Sequence, residues 1–376
     1  METCDCLVVG GGPAGSSCAR ALAQAGLDVL VLDKAVFPRD KVCAGWITPA
    51  VVDELELDLA DYRRERTLQP ITGFRTALIG GRSVYTPYDH PVSYGIRRCE
   101  FDHYLLARSG ARLRLGEPLE TMRREQDQWI VNEAIRAPLV VGAGGHFCPV
   151  ARLISEKDDG EGAGVVVAQE IEFEMSLDER EACRVEPEVP ELYFCEDLLG
   201  YAWCFRKGDF LNIGLGREGE TRLSAHVAAF CQWLQEQGRI PPGTHARFHG
   251  HAYRLYRGRP RRATADGVLL IGDSAGLAYP QSGEGIRPAI ESGLMAARVI
   301  VDAAGNYRRV VLADLDRRLV ARFGRMPSNS SRNGVIPTAW RQAAARRLLA
   351  TRWFTRHVLI NRWFLHTHQA ALLPAR

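Results

Sequence analysis

The sequence predicts an α/β protein, α+β overall. A Rossmann-like dinucleotide-binding domain is interrupted by a mixed β-sheet domain and followed by a basic C-terminal helical tail. Three observations predict it. A glycine loop, Leu7-Val8-Val9-Gly10-Gly11-Gly12-Pro13-Ala14-Gly15, joins an apolar strand to an Ala-rich helix near the start of the chain. A second strand-to-helix signature, Val268-Leu269-Leu270-Ile271-Gly272-Asp273-Ser274-Ala275-Gly276, then Pro280 and Gly283-Glu284-Gly285-Ile286, stands roughly 260 residues later. Between the two, short β-like runs outnumber helical ones.

The first loop has the Rossmann spacing. Gly10 permits the tight turn, Gly12 lets the backbone approach a pyrophosphate, and Gly15 lets helix pack closely on strand. Pro13 and Ala14 complete the turn, and the helix N-terminus offers free N–H groups and the positive end of its dipole to the phosphates. The next apolar run, Val29-Leu30-Val31-Leu32, ends in Asp33 with Lys34 after it. A carboxylate there accepts from ribose hydroxyls. Next comes the turn Lys41-Val42-Cys43-Ala44-Gly45. A thiol at a glycine-flanked turn is either a proton donor or a small buried hydrophobe, and the sequence leaves both readings open.

Hairpin-like pieces near 70–92 are expected to join the inserted sheet. A helix from about Glu100 to Ser109 and short strands at Leu113, Trp129-Ile130-Val131 and Leu139-Val140-Val141 return to the first domain. From about 156 to 256 the runs Val165-Val166-Val167, Leu192-Tyr193-Phe194 and Leu211-Asn212-Ile213 suggest a mixed sheet. A helix near Ser224–Glu236 places Val227, Phe230, Cys231 and Leu234 at helical spacing against it. Tyr201, Trp203 and Phe205 alternate with Ala202 and Cys204, so the three aromatics share one strand face. Such a face suits the wall of an apolar pocket or ordinary sheet packing. His249 and His251 also alternate, but no Cys, Asp or Glu completes a metal set beside them, and no metal is expected.

In the second signature, Gly272-Asp273 closes a strand with a carboxylate suited to the sugar-phosphate linker of a flavin. Pro280 and the turn Gly283-Glu284-Gly285 open a helix from Ile286 to about Ala297, whose N-terminal amides favour negative charge. Ala289, Gly293, Ala296 and Ala297 keep one side of it thin. One such loop alone indicates some dinucleotide. Two, so far apart in sequence, indicate FAD, which is long enough to be held at both ends. The expected division is 1–65, 93–155 and 257–310 for a discontinuous FAD-binding domain, 66–92 with 156–256 for the substrate sheet, and 311–376 for the tail.

A chain of 376 residues with 46% apolar content can bury a large core. Met1-Glu2-Thr3-Cys4-Asp5 leads almost directly into the first strand with no signal-peptide pattern, so a cytoplasmic protein is expected, its ten cysteines reduced. No apolar run approaches the roughly 20 residues of a membrane-spanning helix. Charge is uneven. From Arg298 onward there are fifteen arginines, no lysine and three acids, a net of +12 that leaves −9 for residues 1–297. Arg346-Arg347-Leu348-Leu349, Arg352-Trp353-Phe354 and Arg362-Trp363-Phe364-Leu365 interleave arginine with apolar groups. Such a tail is either a cap docked on the FAD domain or, in addition, an interfacial helix at the inner face of a membrane. No nucleic-acid-binding motif accompanies the charge, and nucleic acid is not an expected partner.

These motifs together resemble the FAD enzymes built like aromatic hydroxylases, flavin halogenases and geranylgeranyl reductases. Arg98-Cys99-Glu100-Phe101-Asp102 resembles that superfamily's Arg-x-x-Phe-Asp segment, whose arginine reaches the cofactor's phosphate or ribose side. Leu139 to Gly145, with Arg152 after it, resembles the Gly-Ala-Asp-Gly segment, with Gly144 in place of the aspartate. Gly200-Tyr201-Ala202-Trp203-Cys204-Phe205-Arg206-Lys207 and Gly214-Leu215-Gly216 resemble the Tyr-x-Trp-x-Phe-Pro…Gly-x-Gly stretch of geranylgeranyl reductases, with Arg206 replacing proline. Lys41 to Gly45 is similar to their Lys-x-Cys-Gly-Gly turn, with Ala44 replacing one glycine. The resemblance implies an oxidoreductase whose FAD is reduced by an external donor, NAD(P)H or a reduced carrier, and delivers a hydride to carbon–carbon double bonds of an apolar prenyl or polyene-like substrate. It places Cys43, Tyr201 and Trp203 in the chemistry and Tyr201, Trp203 and Phe205 around the substrate. The alternatives are a monooxygenase of the same fold and a non-catalytic flavin-binding or electron-relay protein.

Overall fold

Apolar runs of three or four residues closed by glycine are buried on both faces only inside a covered parallel sheet. Cys6–Val9, Val140–Gly142 and Val268–Leu270 are such runs, and every residue in them is buried. In the computed structural model, which describes residues 1–154, 164–219, 222–244, 247–258, 263–324 and 338–372, the three lie side by side. They form the middle of a six-stranded sheet ordered Thr264–Ala265, Val268–Leu270, Val140–Gly142, Cys6–Val9, Val29–Asp33, Arg112–Leu115. Val140 pairs in parallel with Leu7 on one side and Val268 on the other. Both glycine signatures therefore open from the same end of one sheet. The expected division between residues 155 and 156 lies outside the described residues.

The helices that follow the two signatures, Pro13–Gln24 and Ile286–Asp302, pack against each other. Gly293 makes this contact: a Cβ there would lie 2.4 Å from the Ala14 carbonyl oxygen. The second helix continues five residues beyond the expected Ala297, because Val299 and Ile300 keep its buried stripe going. The helix expected near Glu100–Ser109 is Arg98–Ala107, and that near Ser224–Glu236 is Leu223–Glu236.

The second large sheet has seven strands, ordered His249–Arg254, Val165–Glu174, Phe210–Glu218, Gly200–Lys207, Glu191–Phe194, Gly73–Leu78, Val84–Pro87. It is antiparallel except where Glu191–Phe194 runs parallel to Gly73–Leu78. Period-two alternation sorts its faces. Ala202, Cys204, Ile213 and Leu215 pack toward Val227, Phe230 and Leu234 of the helix Leu223–Glu236. Trp203 and Phe205 face the other way, into a cluster with Trp46, Phe74 and Leu192. A three-stranded sheet of Trp46–Ile47, Leu68–Ile71 and Ser93–Ile96 was not foreseen, its strands being too short to show a period.

The tail meets the expected cap in part: Leu312, Leu315 and Leu319 pack into the core of the six-stranded sheet, whereas the later segments go elsewhere. Its helices Thr338–Leu349 and Arg352–Phe354, and the π-helix Thr355–Phe364, bring Leu349, Leu359, Ile360, Phe364 and Leu365 onto the aromatic face of the seven-stranded sheet. The tail's buried side chains cover that face. The long helix is reached at Arg322, which bonds Glu291, and by the last described residues, where Arg287 Nη2 donates to the carbonyls of Gln369 and Ala370. No described helix is long and apolar enough to cross a membrane.

Candidate active site

The glycine loop turns where its sequence says it must. A Cβ on Gly15 would fall 1.9 Å from the Gly10 carbonyl oxygen, so no other residue fits there. Gly12 caps the helix without any side-chain hydrogen bond, with Pro13 at its first position, which leaves the first-turn amides facing outward. Among the described residues only Arg39 Nη2, at 3.4 Å, comes near the place a Gly12 Cβ would take. This open, uncapped cradle fits a pyrophosphate. Asp33 fixes its shape: Oδ2 accepts from the Gly11 amide at 2.7 Å and Oδ1 from the Ala35 amide at 2.8 Å. Lys34 is exposed beside it.

Arg98 is buried, and Asp102 grips it bidentately at 2.8 and 2.8 Å. Arg39 approaches the same carboxylate at 3.3 Å. Burial alone would disfavour the Arg98 charge; Asp102 more than offsets this and fixes the cation.

The second signature is tied to the Lys41–Gly45 turn through residues read separately in the sequence. Lys41 Nζ lies 2.6 Å from His251 Nε2, and that nitrogen lies 3.7 Å from Asp273 Oδ2. Burial pulls Lys41 down to about 8, against the pull of Asp273. Burial also lowers His251. For Asp273 burial works upward, but the His251 hydrogen bond and the positive charges of Lys41 and Arg98 outweigh it and hold the carboxyl below its usual range. His251 thus lies behind Lys41 and Asp273.

The long helix starts at Ile286 with Gly285 as its cap, and the half-buried Pro280 stands a turn ahead of it. Glu284 Oε1 accepts from the Arg287 amide at 2.7 Å, so one of the amides expected to face the cofactor is already taken. Burial pushes Glu284 up to about 7 despite that bond. The Gly283–Gly285 turn is held from the other sheet, where the Tyr201 hydroxyl donates to the Ser282 carbonyl at 2.5 Å.

The Cys43 turn rests on a polar floor. The Cys43 amide donates to Glu170 Oε1 at 2.6 Å, and its carbonyl accepts from Asn212 Nδ2 at 3.3 Å. Asn212 Oδ1 accepts from Trp203 Nε1 at 2.7 Å. Glu172, two residues from Glu170 on the same strand face, binds Lys207 Nζ at 2.6 Å and Arg97 Nε at 3.2 Å. Burial pushes Glu170 up to about 7. Glu172 is desolvated too, but Lys207 and Arg97 hold it low. Gly45 has a φ of +71°, and a Cβ there would meet the Ile96 carbonyl at 2.4 Å and Lys207 Nζ at 2.6 Å. Ala44 packs with the aromatic cluster.

Of the three alternating aromatics, Tyr201 reaches the Gly283 turn and Trp203 reaches the Cys43 turn through Asn212. Phe205 is fully buried and stacks on Trp46 at 5.2 Å. Glu170, Glu172, Lys207, Asn212 and Ser282 were missed from sequence. The sequence carried little signal for them: in Glu170-Ile171-Glu172 and Leu211-Asn212-Ile213 the polar residues alternate with apolar ones as on a half-exposed strand, and nothing local shows that their face is covered as well.

Known proteins are similar to this chain in sequence and fold. Residues 5–78 match the DAO family, FAD dependent oxidoreductase. A menaquinone reductase of Mycobacterium tuberculosis is 31% identical over 325 residues, covering 80% of this chain and 77% of its own. A chloroplastic geranylgeranyl diphosphate reductase of Oryza sativa is 30% identical over 349 residues, covering 85% and 71%. The crystal structure of a geranylgeranyl bacteriochlorophyll reductase-like protein from Thermoplasma acidophilum superimposes with a TM-score of 0.75 at 22% identity, covering 99% of this chain and 94% of that one. Two glycine cradles on one sheet, the reductase-type aromatic strand and these relatives agree, and the chain belongs to the geranylgeranyl reductase family of FAD-dependent oxidoreductases.

Proposed function

We propose that this FAD enzyme saturates carbon–carbon double bonds of an apolar, prenyl or polyene-like substrate. FAD, reduced by an external donor such as NAD(P)H or a reduced carrier, supplies the hydride. The chain's own residues bind and orient. Gly10, Gly12, Pro13, Ala14, Gly15 and Asp33 with Lys34, and Arg98, take the phosphate and ribose side. Lys41, Cys43, Ala44, Gly272, Asp273, Pro280 and the turn from Gly283 through Glu284 and Gly285 to Ile286 take the flavin half. An isolated alkene is a poor electrophile, so close alignment and a proton on the second carbon are both required. Tyr201, Trp203 and Phe205 provide the apolar wall, and the Cys43 thiol holds the proton. Residues 1–65, 93–155 and 257–310 serve the cofactor in this reading, and 66–92 with 156–256 the substrate.

The observation that carries it is the double tie of one aromatic strand to the two turns expected at the flavin. Tyr201 bonds to Ser282, and Trp203 reaches Cys43 through Asn212. The relatives' names support the substrate class, since geranylgeranyl diphosphate and menaquinone both carry isoprenoid chains. The test is anaerobic: reduce the purified enzyme, add geranylgeranyl diphosphate, menaquinone or a lipid extract, and follow products by mass spectrometry. A gain of two hydrogens with flavin reoxidation is expected, and Cys43→Ser should lower that turnover about 10²-fold with FAD retained. A gain of one oxygen atom once air is admitted would replace the reductase with a monooxygenase.

A second reading concerns place. Trp340, Leu348 and Trp353 are exposed on the tail, beside exposed Arg346, Arg347 and Arg352, and the sequence has no acid after Asp316. A basic surface with exposed rings suits peripheral contact with an anionic leaflet, from which a lipid substrate would be drawn.

A further inference from the structure

Beneath the Cys43 turn lies a buried polar network that the cofactor motifs do not call for. Glu170 and Asn212 are almost fully buried, as is Lys207, on adjacent strands of the seven-stranded sheet. Burying such groups costs several kcal/mol unless each is bonded, and two of their bonds close on a single residue of one short turn. Glu170 takes the Cys43 amide and Asn212 the Cys43 carbonyl, so both sides of one residue's backbone are gripped. Lys207 occupies the space a side chain on residue 45 would need. Lys41, at the start of the turn, is fixed by His251. The thiol between these anchors lies beside Arg98 and near Tyr201 and Tyr253.

We propose that Glu170 and Asn212 are positioning residues that set the Cys43 thiol by gripping its peptide backbone, with Asn212 carrying the same register to Trp203. The proposal deepens the reading of Cys43 as proton donor and rests on it for its catalytic meaning. Asn212 is suited to the task because its amide donates to Cys43 while its oxygen accepts from the Trp203 indole, a bifunctional link that an apolar residue or an aspartate cannot reproduce. Glu170 adds sensitivity to protons. The groups facing it are Glu172, Lys207, the Asn212 amide, the Cys43 amide and His249, its partner across the neighbouring strand, with Arg97 beyond Glu172. Lys207 and Arg97 are spent on Glu172, and Glu170, left in the desolvated position, titrates near neutrality. In its ionised form it accepts the Cys43 amide strongly; once protonated it is a weaker acceptor and the grip loosens.

The test uses the FAD-loaded full chain and reads the thiol directly. Alkylation of Cys43 by iodoacetamide is followed peptide by peptide in a mass spectrometer between pH 6 and 9, under anaerobic conditions. The wild-type rate profile should show an inflection near pH 7 besides the thiol's own ionisation. Glu170→Gln keeps an acceptor oxygen but no titration, so its profile should lose that inflection. Asn212→Leu should change the Cys43 labelling rate at least about fivefold across the range and raise KM for the prenyl substrate more than it lowers FAD occupancy. Identical labelling profiles in wild type and Glu170→Gln, together with unchanged labelling in Asn212→Leu, would overturn the proposal. Should Asn212→Leu not fold, the isosteric Glu170→Gln decides alone. Should Cys43→Ser keep full turnover while the labelling changes appear as expected, the positioning stands and the proton-donor reading falls.

Discussion

At Gly15 the space for a side chain is closed by the backbone of Gly10, 1.9 Å from where a Cβ would lie. Gly15→Ala must push the helix Pro13–Gln24 off its strand, and it should yield protein with little bound FAD, read from the flavin absorbance of the purified chain. The Tyr201 hydroxyl is a different kind of constraint. Tyr201→Phe keeps the ring against Phe364, 5.4 Å away, but strips the Ser282 carbonyl of its donor. A buried carbonyl left unpaired costs about 1–3 kcal/mol, so a lower Tm is expected by calorimetry, with a larger loss in turnover if the Gly283–Gly285 turn shifts. Residues of the Gly15 kind are legible in a sequence, because the demand for a bare backbone is written in the residue type. Residues of the Glu170 kind are much less so. Its bond to Cys43 spans 127 positions and that of Asn212 spans 169, and no local periodicity encodes a contact of that reach. Their alternation with Ile171, Leu211 and Ile213 reads as an ordinary half-exposed strand and marks neither as a partner of Cys43.

Among elements, the tail is the one whose placement the sequence left open. Arginine interleaved with Trp, Phe and Leu satisfies an interface with lipid and an interface with an aromatic sheet equally well, and only the three-dimensional position of Trp46, Phe74 and Trp203 decides. Leu359, Ile360 and Phe364 face the sheet, while Trp340 and Trp353 are exposed. The tail's attachment near the long helix carries a pH dependence. His366 stacks on Tyr279 at 3.6 Å between centroids and is nearly buried. Burial, then the charges of Arg287, His368 and Arg322, lower it from 6.5 to about 3. A base whose folded pKa is depressed favours the folded form above its unfolded pKa, and that contribution is lost as pH falls from about 6.5 toward 3, at about 1.4 kcal/mol per unit. Acidification should therefore release the segment 338–372 before the sheets unfold, seen as faster amide hydrogen exchange there. His366→Phe, which keeps the ring stack and removes the titration, should move that release to lower pH.

For the molecule as a whole, charge separation is the property that sequence exposes and the fold preserves. A net of +12 from Arg298 onward stands against −9 in the remainder, and Arg346, Arg347 and Arg352 remain exposed rather than turned inward. Co-sedimentation with phosphatidylglycerol vesicles should be strong at low salt and weaken as ionic strength rises. Trp340→Ser with Trp353→Ser should reduce it about tenfold or more while FAD content is unchanged; binding to neutral vesicles equal to that on anionic ones would refute the electrostatic part.

The strand order of the six-stranded sheet has a consequence for the cell that makes this protein. Val140 stands between Leu7 and Val268, so the glycine loop, translated about 260 residues ahead of the second signature, waits for a neighbourhood completed only near residue 270. At 5–20 residues per second that wait is on the order of tens of seconds. During it the nascent chain exposes the apolar runs Cys6–Val9 and Val29–Asp33 without their final cover, a period in which chaperones have work to do. Flavin capture then becomes a late event in biosynthesis, and yellow colour in an expression culture reports chains translated past the second signature rather than the total made.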